Sequence, residues 1–209
     1  MSVLLPTDNP WDVPSLRLDM QATAIVPPVL HWGYLARGRN MRGTWHFYTD
    51  DYRFSALLRD PKRIAETGCA AACEPNITTY EQTPRHEVLH AIGRKRAVAR
   101  AWQDLGVPVF VDLNVPRRCY DLALLGVPRG WTAFATRGYS TRPDDLESEY
   151  DLAREHAGGE PLLLVVGGGH GVEALCRELP GCVYVNDHHA NRRSVATKRL
   201  TPASQGCDP

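Results

Sequence analysis

The sequence lacks any run of about 18 apolar residues, any excess of charge of one sign and any Cys-x-x-Cys pair. The first absence leaves no candidate for a membrane-spanning helix, and the first 20 residues also lack the apolar segment of a signal peptide. We therefore expect a cytoplasmic protein whose six cysteines are reduced. Because 24 basic residues balance 24 acidic ones, a generally cationic nucleic-acid coat protein is disfavoured, although a local basic patch is still allowed.

The motifs of well-known reactions are missing too. The chain contains no G-x-S-x-G nucleophile elbow, no H-E-x-x-H zinc motif and no set of kinase motifs. A catalytic site must therefore be sought from where polar residues fall relative to the strands and helices.

The 209 residues are few for a complete eight-stranded β/α barrel, which needs roughly 250. From residue 45 onwards, short apolar runs alternate with helical patterns, which is typical of a parallel sheet. Strands are predicted at 45–48, 69–77, 107–113, 131–136, 162–166 and 182–185. Helices are predicted at 52–66, 84–105, 144–156 and 172–179. This pattern predicts an α/β fold of about six mainly parallel strands alternating with helices, as an open sheet or an incomplete β/α barrel.

Three segments are distinguished by composition. Residues 1–43 carry repeated prolines, which suit neither a long helix nor a central strand, and their apolar residues suggest an irregular N-terminal arm packed on the body. Residues 44–190 form the predicted α/β domain. Residues 191–209 are expected to be a flexible C-terminal tail.

Polar residues follow every predicted strand, and in parallel α/β folds ligands bind at the carboxyl ends of the strands. Asp51, Glu74 and Asp112 are the candidate metal ligands, because Mg²⁺ and Mn²⁺ prefer carboxylate oxygens. Asp112 is the strongest candidate because it ends a strand of Val, Phe and Leu, where a lone acid is costly to bury. The alternative is that these acids cap loops or pair with arginines.

The remaining candidates would contact the substrate. Asp51 and Asp112 are predicted to be catalytic, with Arg96 and Arg137 stabilising developing negative charge. The glycine run before a helix would bind phosphate through backbone N–H groups, although three glycines more often form a tight strand-to-helix turn. The predicted substrate-binding residues are Asn76, Asn114, Gly167, Gly168, Gly169 and His170.

A basic surface is the other feature with a functional interpretation. Arg96 and Arg100 share one face of the helix predicted at 84–105, and further basic residues could join them. Those further residues are Arg117, Arg118, Arg192, Arg193, Lys198 and Arg199. The simpler interpretation is a solvated helix face.

The chain also resembles a known family in the order and spacing of short segments over about residues 27–187. The segments are 45–54 (WHFYTDDYRF), 74–78 (EPNIT), 82–84 (QTP), 94–96 (RKR), 101–106 (AWQDLG), 110–114 (FVDLN), 125–128 (LGVP), 135–138 (ATRG) and 166–169 (VGGG). They resemble domain of unknown function 4417, a bacterial and phage family often carried on mobile elements. The resemblance implies that context and no particular activity, and it points to Asp50, Asp51, Asn76, Arg94, Arg96, Asp112 and Gly168.

Three hypotheses follow from the sequence. The first is an enzyme acting on a phosphorylated or nucleic-acid substrate with Mg²⁺ or Mn²⁺, in which Asp112→Asn folds normally but loses metal binding and activity. The second is a non-catalytic DNA- or partner-binding protein of a phage or plasmid, whose DNA affinity depends steeply on salt. The third is a metal-free glycosidic-bond or transglycosylase-type enzyme, whose activity chelators leave unchanged. The sequence does not indicate an oligomeric state.

Overall fold

The structure, a computed structural model, describes residues 5–34 and 41–186, and within these ranges the chain forms seven strands. They are β1 (Val29–His31), β2 (Thr44–His46), β3 (Ala71–Cys73), β4 (Val109–Asp112), β5 (Ala133–Arg137), β6 (Leu162–Val166) and β7 (Cys182–Val185). The helices are α1 (Ser55–Arg59), α2 (Lys62–Ala65), α3 (Arg85–Asp104), α4 (Tyr120–Ala123), α5 (Asp144–Ala157) and α6 (Gly169–Glu178). Short 3₁₀ turns occupy Leu18–Met20, Asp51–Arg53 and Arg117–Cys119.

The strands lie side by side in their order along the chain, and every neighbouring pair is parallel. Helices alternate with strands, and the sheet curls into a nearly closed barrel with β1 and β7 at its two edges. The prediction of an α/β fold is confirmed, and the incomplete barrel is the correct one of the two alternatives. Since all strands are parallel, their carboxyl ends share one rim of the barrel.

The strand β1 was not predicted, because residues 1–43 were expected to be irregular. Its three residues follow Pro27 and Pro28, and three residues are too few to show an alternating pattern. Leu30 pairs with Trp45 in β2. The extended conformation of β1 therefore depends on pairing with its partner strand rather than on its own sequence.

The segment before β1 crosses the amino ends of the strands. The N–H of Ala22 donates to the carbonyl oxygen of Val109 at the start of β4, and Gln21 Oε1 accepts a bond from the N–H of Thr132. Gln103 of α3 holds the same segment, since its Oε1 accepts a bond from the N–H of Arg17. These bonds cover the rim at the amino ends of the strands, so a site is expected at the opposite rim, at their carboxyl ends.

Aromatic rings fill the space between the sheet and α3. Phe47 stacks on Trp102 with ring centroids 5.4 Å apart, and Phe54 meets Phe47 edge to face at 5.6 Å. All three side chains are buried. Proline at position 61 divides the predicted helix 52–66 into α1 and α2, because a proline cannot donate the helical N–H bond.

The C-terminal tail predicted at 191–209, with its four basic residues, lies outside the described residues. In the ranges that the structure describes, no helix is both long and apolar enough to cross a membrane.

Candidate functional site

A polar cavity of about 680 Å³ opens at the rim formed by the carboxyl ends of the strands. It is lined by residues at the ends of β1 and β5, by the segments after β1, β2, β3, β4 and β5, and by helix α5. Those that carry the argument below are Tyr48, Arg53, Asn76, Asn114, Arg137, Tyr139, Arg142 and Glu149.

Asp112 does not line this cavity itself but bonds to two residues that do, Tyr48 and Asn114. Its Oδ2 lies 2.9 Å from the ammonium of Lys95, and its Oδ1 accepts bonds from the Tyr48 hydroxyl at 3.0 Å and from the N–H of Asn114 at 3.2 Å. Burial raises the pKa of Tyr48 well above its ordinary value, and the negative charge of Asp112 adds to this effect. The hydroxyl of Tyr48 therefore keeps its proton and donates a hydrogen bond to the carboxylate.

The asparagines predicted to bind substrate do lie together on the cavity wall. The Nδ2 of Asn114 lies 2.9 Å from Asn76 Oδ1 and 3.1 Å from the Tyr139 hydroxyl. These bonds connect the loops after β3, β4 and β5. The side chains that face the cavity are thus fixed in position before any ligand binds.

Arg96 lies away from the cavity lining, in a buried position that does not match its predicted contact with substrate. Its guanidinium lies 2.6 Å from Glu74 Oε1 and also donates to the carbonyl oxygens of Ala123 and Leu125. Glu74 Oε2 accepts a bond from the N–H of Asp112. This pair is one of the alternatives left open by the sequence, in which the acid pairs with an arginine, and it joins β3 to α3.

The three predicted metal ligands do not converge. Glu74 and Asp112 are neighbours, but both oxygens of each carboxylate accept hydrogen bonds from the protein. Asp51 is half-buried at the start of the 3₁₀ turn Asp51–Arg53 and accepts bonds from the N–H and the hydroxyl of Thr78. Among residues 5–34 and 41–186, no group of three or more His, Cys, Asp or Glu side chains could hold a metal ion. This carboxylate set does not fit a metal, and binding of Mg²⁺ or Mn²⁺ stays a prediction for metal-dependent melting to test.

Arginines occupy one side of the cavity. Arg137 ends β5, and its Nη1 lies 3.4 Å from the carbonyl oxygen of Tyr48. The guanidinium carbons of Arg137 and Arg142 lie 5.8 and 4.5 Å from the ring centroid of Tyr139, within the range of a cation–π contact. Arg142 also pairs with Asp145 at 3.2 Å. Of the two arginines predicted to stabilise charge, Arg137 lines the cavity.

Glu149 is a cavity residue that the sequence analysis did not single out. It lies in α5, lines the cavity and is only 4% exposed. Burial raises the pKa of its carboxyl well above the ordinary value; the charge of Asp112 adds to the rise, while Thr136 and Arg142 oppose it. A helical wheel would have indicated its position, because Glu149 falls on the buried stripe of this helix. That stripe is Leu146, Glu149, Tyr150, Ala153 and His156.

The glycine run forms a tight turn outside the cavity lining. Gly167, Gly168 and Gly169 all have positive φ, and Gly168 lies at the start of α6. A Cβ on Gly168 would lie 2.6 Å from Val172 Cγ2 and 2.8 Å from the carbonyl carbon of Gly138. His170 is exposed, and its Nδ1 lies 3.5 Å from Oε2 of Glu173 in the same helix. These contacts are those of a tight strand-to-helix turn, and phosphate binding by the glycine run stays a prediction.

The predicted basic surface is largely dispersed. Arg96 is buried, and Arg100 donates to the carbonyl oxygen of Ser15 and to Asp104. Arg117 and Arg118 donate to Ser148 and to backbone carbonyls of the 81–83 loop. The basic residues 192, 193, 198 and 199 lie outside the described ranges. The described part of the chain therefore does not assemble this surface from the residues predicted.

Comparison with known proteins agrees with the resemblance read from the sequence. The model of the family "Domain of unknown function (DUF4417)" matches residues 5–149. The Gene 1 protein of Mycobacterium phage D29 is 27% identical over 176 residues, which cover 78% of this chain and 60% of that protein. The Gene 1 protein of Mycobacterium phage L5 is also 27% identical over 176 residues, covering 78% of this chain and 73% of that protein. No solved structure matches at a significant level.

The chain thus spans less than two thirds of the D29 protein. Since the family model covers more than half of the present chain, the chain belongs to the DUF4417 family, a domain of unknown function.

Proposed function

We propose that this protein is an enzyme that acts on a phosphorylated or nucleic-acid substrate in the cavity, with Glu149 as a metal-independent general acid. One observation carries the proposal: a buried carboxyl of raised pKa lines a polar cavity at the carboxyl ends of parallel strands. Enzymes of this architecture place their reactive groups at that rim, and strongly perturbed carboxyls are enriched in active sites.

The environment of Glu149 suits the donation of a proton. A carboxyl must keep its proton near neutral pH to act as a general acid, and an apolar or desolvated setting is the usual means. Asp112, by contrast, is held against the ammonium of Lys95. Two carboxyls of one site thus have different surroundings, which is the pattern expected of an acid and a supporting anion.

In the proposed step, the O–H of Glu149 gives its proton to the leaving-group atom as the bond to that atom breaks. The carboxylate that results takes a proton back from the water molecule that adds to the other fragment. This chemistry supports the metal-free hypothesis of a glycosidic-bond enzyme over the metal-dependent one. The favouring observation is that Glu74 and Asp112 already bond to the protein through both oxygens.

The arginines that line the cavity favour the binding of an anionic substrate. Arg53, Arg137 and Arg142 all line the cavity, and a planar guanidinium binds phosphate through paired hydrogen bonds. Asp50 and Asp145 pair with Arg53 and Arg142, so a phosphate would have to compete with these carboxylates. Arg137 ends β5 at the cavity and is the anchor we expect to matter most.

Binding and turnover test the proposal separately. Thermal melting of the wild type is followed with nucleoside monophosphates, ribose 5-phosphate and short oligonucleotides. Products are then sought by mass spectrometry after incubation with each compound that raises Tm. We expect Arg137→Ala to abolish the rise in Tm, and Glu149→Gln to retain it while turnover falls by about 100-fold or more, the usual contribution of a general acid.

Arg177→Ala is the control, since Arg177 is an exposed residue of α6 that pairs with Glu173. A rise in Tm that survives Arg137→Ala would contradict binding in this cavity. Full turnover in Glu149→Gln would contradict the acid role.

A further inference from the structure

We propose that the substrate is a single-stranded polynucleotide, and that a second recess beside the cavity binds the phosphates that flank the reacting nucleotide. This inference rests on the proposed function and adds the class of substrate. The recess has a volume of about 610 Å³ and lies between the loop after β3 and the exposed side of α3.

The two spaces are continuous along the chain's surface. Thr78 and Thr79 line both the cavity and the recess. Asp51 fixes this boundary, because its carboxylate accepts bonds from the Thr78 hydroxyl at 2.7 Å and from the Thr78 N–H at 3.2 Å. A strand that leaves the cavity over these threonines enters the recess directly.

The recess presents a row of cationic and imidazole groups. His86, His90 and Arg94 recur every four residues on α3, so they share one face of the helix and span ~12 Å along its axis. All three are exposed, and no other residue in the described ranges bonds or pairs with their side chains. These groups are therefore available to more than one backbone phosphate.

An exposed aromatic ring is placed to stack on a base of a strand that runs from the cavity to the recess. Tyr80 follows Thr78 and Thr79 in the same loop, lines the cavity and is 68% exposed. Proteins that bind single strands combine a cationic groove with aromatic rings on which bases stack. A phosphorylated metabolite would occupy the cavity alone, so the row on α3, which lines only the recess, would not affect its binding.

One acid faces the same recess. Glu87 lies next to His86 on α3 and lines the recess, where its negative charge repels phosphate. Replacing it with glutamine should strengthen polynucleotide binding, whereas Arg94→Ala should weaken it. The opposite signs of the two changes separate an electrostatic contact from a loss of folding.

The experiment measures the fluorescence anisotropy of labelled oligo-dT and oligo-U of eight nucleotides, with a nucleoside monophosphate as competitor, at several salt concentrations. We expect the variant His86→Ala/His90→Ala/Arg94→Ala to weaken oligonucleotide binding by about tenfold or more. Arg94→Ala alone should reduce the slope of log affinity against log salt by about 0.7, the contribution of one phosphate in a single strand. Binding of the monophosphate should not change in either variant.

Each outcome has a distinct meaning. If the monophosphate binds and Arg137→Ala removes that binding, but oligonucleotides bind no more tightly, the recess proposal is overturned and the proposed function stands. An unchanged salt slope in Arg94→Ala, or equal effects of Glu87→Gln and Arg94→Ala, overturns it as well. If Arg137→Ala leaves both ligands unaffected, the proposed function itself fails. A preference for oligo-dT or oligo-U identifies DNA or RNA as the strand.

Discussion

The buried ammonium of Lys95 lies 2.9 Å from Oδ2 of Asp112 and 2.7 Å from the Asp112 carbonyl oxygen. Both side chains are nearly inaccessible to solvent. The pair joins α3 to the carboxyl end of β4, directly below the cavity floor. Tyr48 and Asn114 take their positions from the other carboxylate oxygen, so one ion pair supports a large part of the candidate site.

Asp112→Asn should be strongly destabilising, contrary to the normal folding expected from the sequence. The change leaves the ammonium of Lys95 buried without a counter-charge, and breaking a buried pair costs about 3–5 kcal/mol. Urea unfolding at pH 7 measures the loss. Asp104→Asn is the matched control, because it removes the partner of Arg100 at the surface and should change little. A loss for Asp112→Asn no larger than that of the control would contradict the role given to the pair.

Glu149→Gln should change how stability depends on pH. In the folded state the pKa of Glu149 is raised above its ordinary value of 4.5. The contribution of this group to the free energy of unfolding of the wild type is therefore most favourable at low pH and decreases as pH rises above about 4.5. Glutamine cannot ionise, so the variant should become progressively more stable than the wild type as pH rises. The slope for one proton is at most about 1.4 kcal/mol per pH unit.

Urea unfolding between pH 4 and pH 8.5 tests this dependence. Glu147→Gln serves as the control, since Glu147 is exposed on the same helix and should show no such trend. Parallel curves for wild type and Glu149→Gln would mean that the carboxyl is ionised in the folded protein.

Gly168→Ala should destabilise the fold by about 1–3 kcal/mol, because φ is +94° and the added Cβ meets Val172 and Gly138. Gly171→Ala, three residues further in α6, meets no atom within 4 Å and should stabilise by about 0.5–1 kcal/mol. Thermal melting distinguishes the two. Loss of ligand binding without loss of stability in Gly168→Ala would instead favour the phosphate cradle predicted from the sequence.

The alternation of apolar runs with helical patterns was sufficient to predict an α/β fold. The strand β6 was predicted at its observed bounds, because five consecutive apolar residues, four of them buried, are a clear pattern for a strand in a parallel sheet. No sequence pattern predicted β1, since its three residues are extended because they pair with β2. The hydrophobic pattern of a short segment does not indicate which distant strand it will pair with.

The charged residues of α3 show the same limit. Lys95 and Arg96 lie three or four residues from Ile92 and Ala99, on the buried stripe of the helix, although Arg96 was predicted to belong to a basic surface. Each is buried beside an acid from the end of a different strand, Asp112 for Lys95 and Glu74 for Arg96. Periodicity indicated the face of the helix, but only the fold supplied the counter-charge that makes burial possible.

The sequence by itself determined the fold class, the alternation of elements and the concentration of polar residues after the strands, because these depend on local hydrophobic periodicity. The tertiary structure decided which polar groups face the cavity. It paired Glu74 and Asp112 with buried cations, bonded Asp51 to Thr78 and placed Glu149 of α5 at the cavity. The physical reason is that the pairing, burial and pKa of a charge depend on neighbours distant in sequence, which come together only when the barrel curls.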